Sequence, residues 1–320
     1  MLWPCLHVAS GVPQGSILGL LLFSVYMNDL PSVPQHCSVQ CYVDNTKLLL
    51  SFRLQDQSRI VAEINQDLTR IRDWCFDNQL LLNPDKTKLS VCGSKLGVSK
   101  TREFKLSFLG KQLAPVETAR DLGVILDTSL TFDHHVSATV ASCMLRLGQI
   151  NRVQHCFDNR TLIIIINTLV FSNLFHCSSV WSSTSQSNIA KLQAVQNFAC
   201  RIISGSKKYD HVTPILRQLN WLPVKHHMYY HDSIMAFKCM NGLAAGYLSE
   251  QFVKRSSIST RITRNSQLLH IPLFKTATGQ RTFYYRMVSL WNALPQYIKL
   301  SQSLPHFKTL MRKRLLVDNF

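Results

Sequence analysis

The sequence predicts an α+β chain, with short antiparallel strands and helices in its first part and a mainly α-helical remainder. Three observations carry that prediction. Residues 38–50 alternate in polarity and are rich in β-formers, with a polar break at Asp44 and Asn45. Residues 56–77 place Ile60, Ile64, Leu68, Ile71 and Trp74 at helical spacing. Beyond residue 133, amphipathic helical faces succeed one another with few strand signals.

Taken in order, the first residues complete no helix or strand signal, and the chain enters at a Gly-Val-Pro-Gln-Gly loop of backbone breakers. Such an opening reads either as an N-terminal extension or as a start in the middle of something larger. Ser16 then fits the N-cap of a helix running to about Asn28. The break at Asp44-Asn45 predicts a tight hairpin turn between two short strands. Asn83-Pro84-Asp85 predicts a turn after the 56–77 helix, whose apolar stripe reads as core packing. Short strands are expected at 88–92, 104–109 and 122–126. Val136, Val140, Met144 and Leu147 mark the face of one long helix, and Ile189, Leu192, Val195, Gln196, Ala199 and Ile203 mark another. Pro223, suited to a first helical turn, opens a helix ending near Gly242, and the tail from Pro305 sets Phe307, Leu310 and Leu315 among basic residues. The change of pattern puts a domain boundary near residue 133, dividing 1–133 from 134–320.

Composition narrows the class. With 46% hydrophobic and 17% charged residues, the chain is ordinary globular material, which excludes a disordered tail or a collagen-like fibre. Its net charge of +17 is unevenly placed: +1 over residues 1–100, +2 over 101–200 and +14 over 201–320. A one-sided basic excess suits a polyanion, or else a solvated face with no partner. Ten cysteines show no CxxC pair and no secretory signal precedes them, so they read as reduced, buried thiols of an intracellular protein, nuclear or cytoplasmic. The apolar stretches at 17–27 and 162–170 are too short for a bilayer, which takes roughly 20 residues, so no membrane span is expected. The second reads as a buried helix.

Four segments then occur in a fixed order: GVPQGSILGLLLF at 11–23, YVDN at 42–45, RIRDWCFDNQLLLNPDKTK at 70–88, and DLGVILDTSLTFDHHV at 121–136. Together they resemble the reverse transcriptase of LINE-type (non-LTR) retrotransposons, the jockey-like elements in particular. The likeness is strong over residues 11–135 and softer for the helical remainder.

That resemblance implies a partial reverse-transcriptase palm in 1–133 and a helical thumb with a basic C-terminal region in 134–320. It implies that Pro13, Gln14 and Gly15 form a loop against the template and nascent base pair. It makes Tyr42-Val43-Asp44-Asn45 the counterpart of the YADD turn, whose carboxylates hold catalytic Mg2+. It sets Lys86 near the incoming nucleotide and makes DLGVILD the strand leading from palm to thumb. Two departures stand out: Asn45 replaces the second aspartate, and Leu20 stands where proline is common. The family draws its first catalytic aspartate from a strand well before the PQG loop, so the expectation is a C-terminal fragment without fingers, first palm motif or endonuclease domain. Asp44 is then a vestigial metal ligand, and the chain a remnant inactive by itself unless a missing palm half or another element-encoded chain joins it.

An alternative of another class is a non-enzymatic protein that binds RNA or DNA through its basic last third, with Arg312, Lys313 and Arg314 touching either phosphate or water. Trp221, Tyr229, Tyr230, Tyr284, Tyr285 and Trp291 interleave with Lys225, Arg281 and Arg286, a pattern that suits single strands, although half of these rings read as core. His227 and His231 lie one helical turn apart but have no third ligand nearby in sequence, so they read as ordinary histidines rather than a zinc site. A third expectation is a palm sheet that exposes an edge and favours aggregation.

Overall fold

The computed structural model describes residues 11–12, 15–101, 103–258, 267–274 and 276–319. Contacts divide the chain into two compact units between Glu117 and Thr118. Six strands form three separate two-stranded antiparallel sheets among the described residues: β1 (Ser38–Tyr42) with β2 (Asn45–Leu49), β3 (Leu106–Phe108) with β4 (Lys111–Leu113), and β5 (Thr118–Asp121) with β6 (Val124–Asp127). The principal helices are α1 (Gly19–Tyr26), α2 (Gln57–Asp77), α3 (Asp133–Val153), α4 (Asn159–Ile166), α5 (Gln186–Ser204), α6 (Val224–Met240), α7 (Phe283–Ala293) and α8 (Leu304–Asn319). The α+β class, with short hairpins followed by a helical remainder, is borne out.

The N-terminal unit is built on α2. Its apolar stripe buries Ile60 and Leu68 against Phe104, Leu106, Phe108 and Leu113 of the β3–β4 region. A second patch of the same helix buries Ile71 and Cys75 against Leu30. Between them sits Asp67, fully buried. Its carboxylate accepts hydrogen bonds from the backbone N–H groups of Gln35, His36 and Cys37 at 2.9, 2.9 and 2.8 Å, and from Arg70 Nη1 at 2.7 Å. The helix is therefore more than packing: through Asp67 it pairs three successive amides of the bent chain at 35–37.

Several sequence expectations need correction here. Ser16 does not cap α1; the residue before the helix is Leu18, with no side-chain cap bond. That helix is apolar on nearly every side, a pattern that ordinarily goes with burial, yet none of its residues is buried. Residues 88–92 make a single bridge, Leu89 to Pro115, rather than a strand. The strand expected at 122–126 begins at Val124, because Leu122 and Gly123 form the β5–β6 turn at φ 44° and 88°. Four of the nine described cysteines, Cys41, Cys92, Cys156 and Cys177, are exposed rather than buried.

The helical unit has two cores joined through α6. One gathers Val136, Cys143 and Leu147 of α3, Leu162 and Ile166 of α4, Leu192, Val195 and Ala199 of α5, and Trp181, together with Val224 and Met228 from the start of α6. Met144, expected on the α3 face, is 40% exposed, and Cys143 takes the buried position beside it. The other core gathers Ala236 and Phe237 from the end of α6 with Met287, Val288 and Trp291 of α7 and Phe307, Met311 and Leu315 of α8. The stretch at 162–170 is helical, as expected, but buries only part of itself; Ile164 and Leu169 face outward. Pro223 stands one position ahead of the helix it opens, with its carbonyl accepting from His226 and His227 N–H, both at 2.9 Å. No described helix is long and apolar enough to cross a membrane.

Asp67 supplies a test. Burial alone would raise its pKa, but the three amides and Arg70 outweigh burial and hold it at about 2, against 3.8 ordinarily. A carboxyl depressed in the folded state adds stability above its unfolded pKa, and that stability is lost as pH falls toward 2. Asp67→Asn is expected to cost the N-terminal unit about 2–3 kcal/mol at neutral pH and to flatten the loss of stability between roughly pH 4 and pH 2. Urea denaturation followed across that range checks both.

Candidate functional site

The candidate metal turn lies at the tip of the β1–β2 hairpin. Its register pairs Tyr42 with Asn45 and Cys41 with Thr46, so the two-residue turn is Val43-Asp44, one position earlier than the sequence suggested. The reason is that Asn45 pairs within the ladder, while Val43 takes the left-handed conformation at φ 55°. A β-branched residue rarely adopts that conformation, because its Cβ crowds the backbone. Asp44 and Asn45 are both exposed, and the Asn45 amide donates to Asp44 Oδ1 at 3.2 Å.

Gly15 has φ 90°, and a Cβ added there would meet nothing within 4 Å. Its glycine therefore answers a backbone requirement and not a contact within the chain. Pro13 and Gln14 lie outside the described residues. Lys86 is exposed and follows Asp85 in a turn held by Asn83, whose Oδ1 accepts from the N–H groups of Asp85 at 2.9 Å and Lys86 at 3.2 Å. Asp85 itself pairs with Lys111 at 2.7 Å, which holds its carboxyl below the usual range.

A metal centre asks more of this turn than it offers. Mg2+ is held through carboxylates plus substrate phosphates, and polymerase chemistry uses two such ions. The turn presents one carboxylate and one neutral amide, and no group of three or more His, Cys, Asp or Glu side chains able to hold a metal occurs among the described residues. The donors present do not fit a two-metal centre.

Of the basic tip, Arg312 is exposed and donates to the Asn220 carbonyl at 2.7 Å, and Lys313 is exposed. Arg314 is half-buried and pairs with Asp318 at 3.2 Å. His227 and His231 of α6 serve packing: His227 stacks on Phe175 with ring centres 3.8 Å apart, and His231 shares a 2.8 Å hydrogen bond with Ser178 Oγ. Burial drives the His227 pKa down to about 3.

One polar cluster went unread in the sequence. Asp232 of α6, 7% exposed, accepts from Ser182 Oγ at 2.7 Å and from Arg286 Nη1 of α7 at 3.1 Å. Arg286 also donates to the Ser179 carbonyl at 2.8 Å and to Ser182 Oγ. Burial pushes the Asp232 carboxyl up, and the Arg286 charge opposes it. The available signal was a charge at position 232, in line with Met228 and Ala236 on an apolar stripe.

Comparison with known proteins bears on the turn and the strands around it. The reverse transcriptase (RNA-dependent DNA polymerase) family matches residues 6–125. The chain is 29% identical over 249 residues to the probable RNA-directed DNA polymerase from transposon BS of Drosophila melanogaster, covering 70% of this chain and 25% of that protein. It is 27% identical over 245 residues to the probable RNA-directed DNA polymerase from transposon X-element of the same species, covering 71% and 26%. It is 25% identical over 219 residues to the RNA-directed DNA polymerase from mobile element jockey of Drosophila funebris, covering 63% and 22%. The chain thus spans about a quarter of the length of these relatives. No solved structure matches. These matches set the similarity of the chain among reverse transcriptases. The recognition of the LINE-type, jockey-like group within that class is borne out.

The strained turn is directly testable. Asn tolerates the left-handed region that Val43 occupies, whereas a β-branched side chain there costs about 1–2 kcal/mol. Val43→Asn is expected to stabilise the hairpin by about 1 kcal/mol. Hydrogen exchange at the β1–β2 amides would register it as slower opening.

Proposed function

We propose that this chain derives from, and is built for, the RNA-directed DNA synthesis of a non-LTR retrotransposon, and that its own metal turn no longer supports the chemistry. In this reading residues 1–133 are palm and 134–320 are thumb and C-terminal region. Gly15, with Pro13 and Gln14, faces the template, and Lys86 the nucleotide. Two lines support the polymerase lineage: the family match over 6–125 and the activity for which the relatives are named.

The observation that carries the inactive reading is the turn. An amide oxygen at Asn45 keeps a lone pair but supplies no negative charge, and Asp44 sits exposed in water, where a single carboxylate binds Mg2+ weakly. The remaining residues still suit a polyanion partner, since residues 201–320 carry 18 basic and 4 acidic side chains. RNA or DNA backbone is the substrate chemistry this implies.

The test is Mg2+-dependent primer extension on an RNA template, with the unaltered chain beside Asn45→Asp. The unaltered chain is expected to give no templated product, while retaining nucleic-acid binding that weakens as salt rises. Templated extension by the unaltered chain would overturn the inactive reading. Salt-independent binding, or none, would remove the nucleic-acid partner.

A further inference from the structure

A cavity of about 420 Å3 opens in the helical unit between the start of α5, one face of α6 and the end of α8. Its volume lies within the roughly 300–1,000 Å3 usual for small-molecule sites. What sets it apart is unsatisfied polarity. Among the described residues, five buried side-chain polar atoms lack a hydrogen-bond partner. Three of them, His226 Nδ1, Asp232 Oδ1 and Arg314 Nη1, belong to residues lining this one cavity. Buried polar groups are normally paired, at a cost of about 1–3 kcal/mol each when they are not, so three at one place call for a ligand or solvent that completes them.

The chemistry of the lining specifies the ligand. Lys225, Tyr229 and Asp232 follow one another along one face of α6 at spacings of four and three. Lys225 is exposed at the rim, while Asp232 is buried, about 10 Å further along the helix axis at the usual rise. Arg314 keeps a free Nη1 suited to a phosphate oxygen, while its Nε pairs with Asp318, a carboxylate that lines the same cavity. Asp232 has its Oδ2 occupied by Ser182 and Arg286, so its Oδ1 is free to accept one N–H. The Tyr229 ring, Ile189 and Met228 provide the apolar wall between. An anion at the rim, a flat apolar body and an N–H donor at the floor describe a nucleotide.

We propose that this cavity binds a single nucleotide unit, with its phosphate at Lys225 and Arg314 and an exocyclic amine of its base donating to Asp232 Oδ1. The site is independent of the metal turn and requires no synthesis, so it stands or falls separately from the polymerase reading. Uracil, without an exocyclic amine, offers only its N3–H, flanked by two carbonyl oxygens that a carboxylate repels, so it pairs with Asp232 Oδ1 less well. Cytidine, adenosine and guanosine monophosphates are therefore favoured over uridine monophosphate. The nucleotide arrives either free or as one unpaired residue of a strand, and the cavity chemistry is common to both.

The experiment is titration calorimetry on the full chain with the four monophosphates, cytidine and inorganic phosphate. The expected result is binding of the amine-bearing monophosphates, with uridine monophosphate about tenfold weaker. Lys225→Ala, at an exposed position that leaves folding intact, is expected to weaken cytidine monophosphate about tenfold and leave cytidine itself unchanged. Asp232→Asn should erase the preference over uridine monophosphate. Because that variant leaves Arg286 unpaired and can fail to fold, the Lys225→Ala comparison carries the test alone where it does.

An unstructured oligocytidylate should compete with cytidine monophosphate. Tighter binding of the oligomer assigns the site to a strand, and tighter binding of the monomer to a free nucleotide. The proposal is overturned if no monophosphate binds, if uridine monophosphate equals the others, if inorganic phosphate binds as well as any nucleotide, or if oligomer and monomer do not compete.

Discussion

A carboxylate withdrawn from water must be given donors before any packing around it can form, and in the helical unit that carboxylate is Asp232. It lies on α6 between Met228, which belongs to one core, and Ala236, which belongs to the other. Arg286 reaches it from α7, and Ser182 from the segment before α5. The pair therefore sits where the two cores meet and fixes the rotation of α6 between them. Removing one partner of a buried pair typically costs about 3–5 kcal/mol, because the other is left charged and unpaired. The same requirement leaves Oδ1 of Asp232 without a partner, which is why the cavity beside it has chemical character at all.

Aspartate is used in the same way elsewhere. Asp67 accepts from the amides of the bend at residues 35–37, and Asp127 accepts from the N–H groups of Ser129, Thr131 and Phe132 at 3.1, 3.0 and 2.6 Å, which sets the entry to α3. In the last third this use of acidic residues shapes the surface. Of the four acids there, Asp232 is buried, Asp318 pairs with Arg314, and Asp210 accepts from the Lys207 N–H at 2.7 Å. Four carboxylates offset few of the 18 basic residues, so the excess seen in composition persists in the field around this part of the chain.

How local each signal is decided whether it could be read from sequence. The stripe of α2 was legible because five apolar residues repeat along one helix, and the Asn83 turn because its side chain bonds to its own backbone. The hairpin was legible, but its turn was misplaced by one residue: Asp-Asn looks like turn chemistry, whereas the register puts Val43 at the positive φ. Asp67 and Asp232 belong to no motif that marks them in the sequence. Each in fact lies on an apolar stripe, Asp67 four before Ile71 and Asp232 four after Met228, and their partners come from distant segments that one-dimensional periodicity does not reveal. The motifs near the turn were legible only by likeness to a family, and the helical remainder, with no motif of its own, yielded its polar cluster and cavity only in three dimensions.

The two units also differ in how firmly they can hold chemistry. Among the described residues β1 and β2 pair only with each other, and their tip is exposed. Two strands alone are marginal in water, while catalytic geometry has to be held to within about 0.5 Å. A metal turn on such a hairpin depends on whatever else packs against it for precision. The cavity at α6 has no such dependence, since Asp232 is locked by Arg286 and Ser182, and its walls are the flanks of two formed cores. Of the residues proposed to hold a nucleotide, Asp232 is also the one that keeps α6 in place, so that end of the site is tied to the stability of the fold, whereas Lys225 at the rim is not.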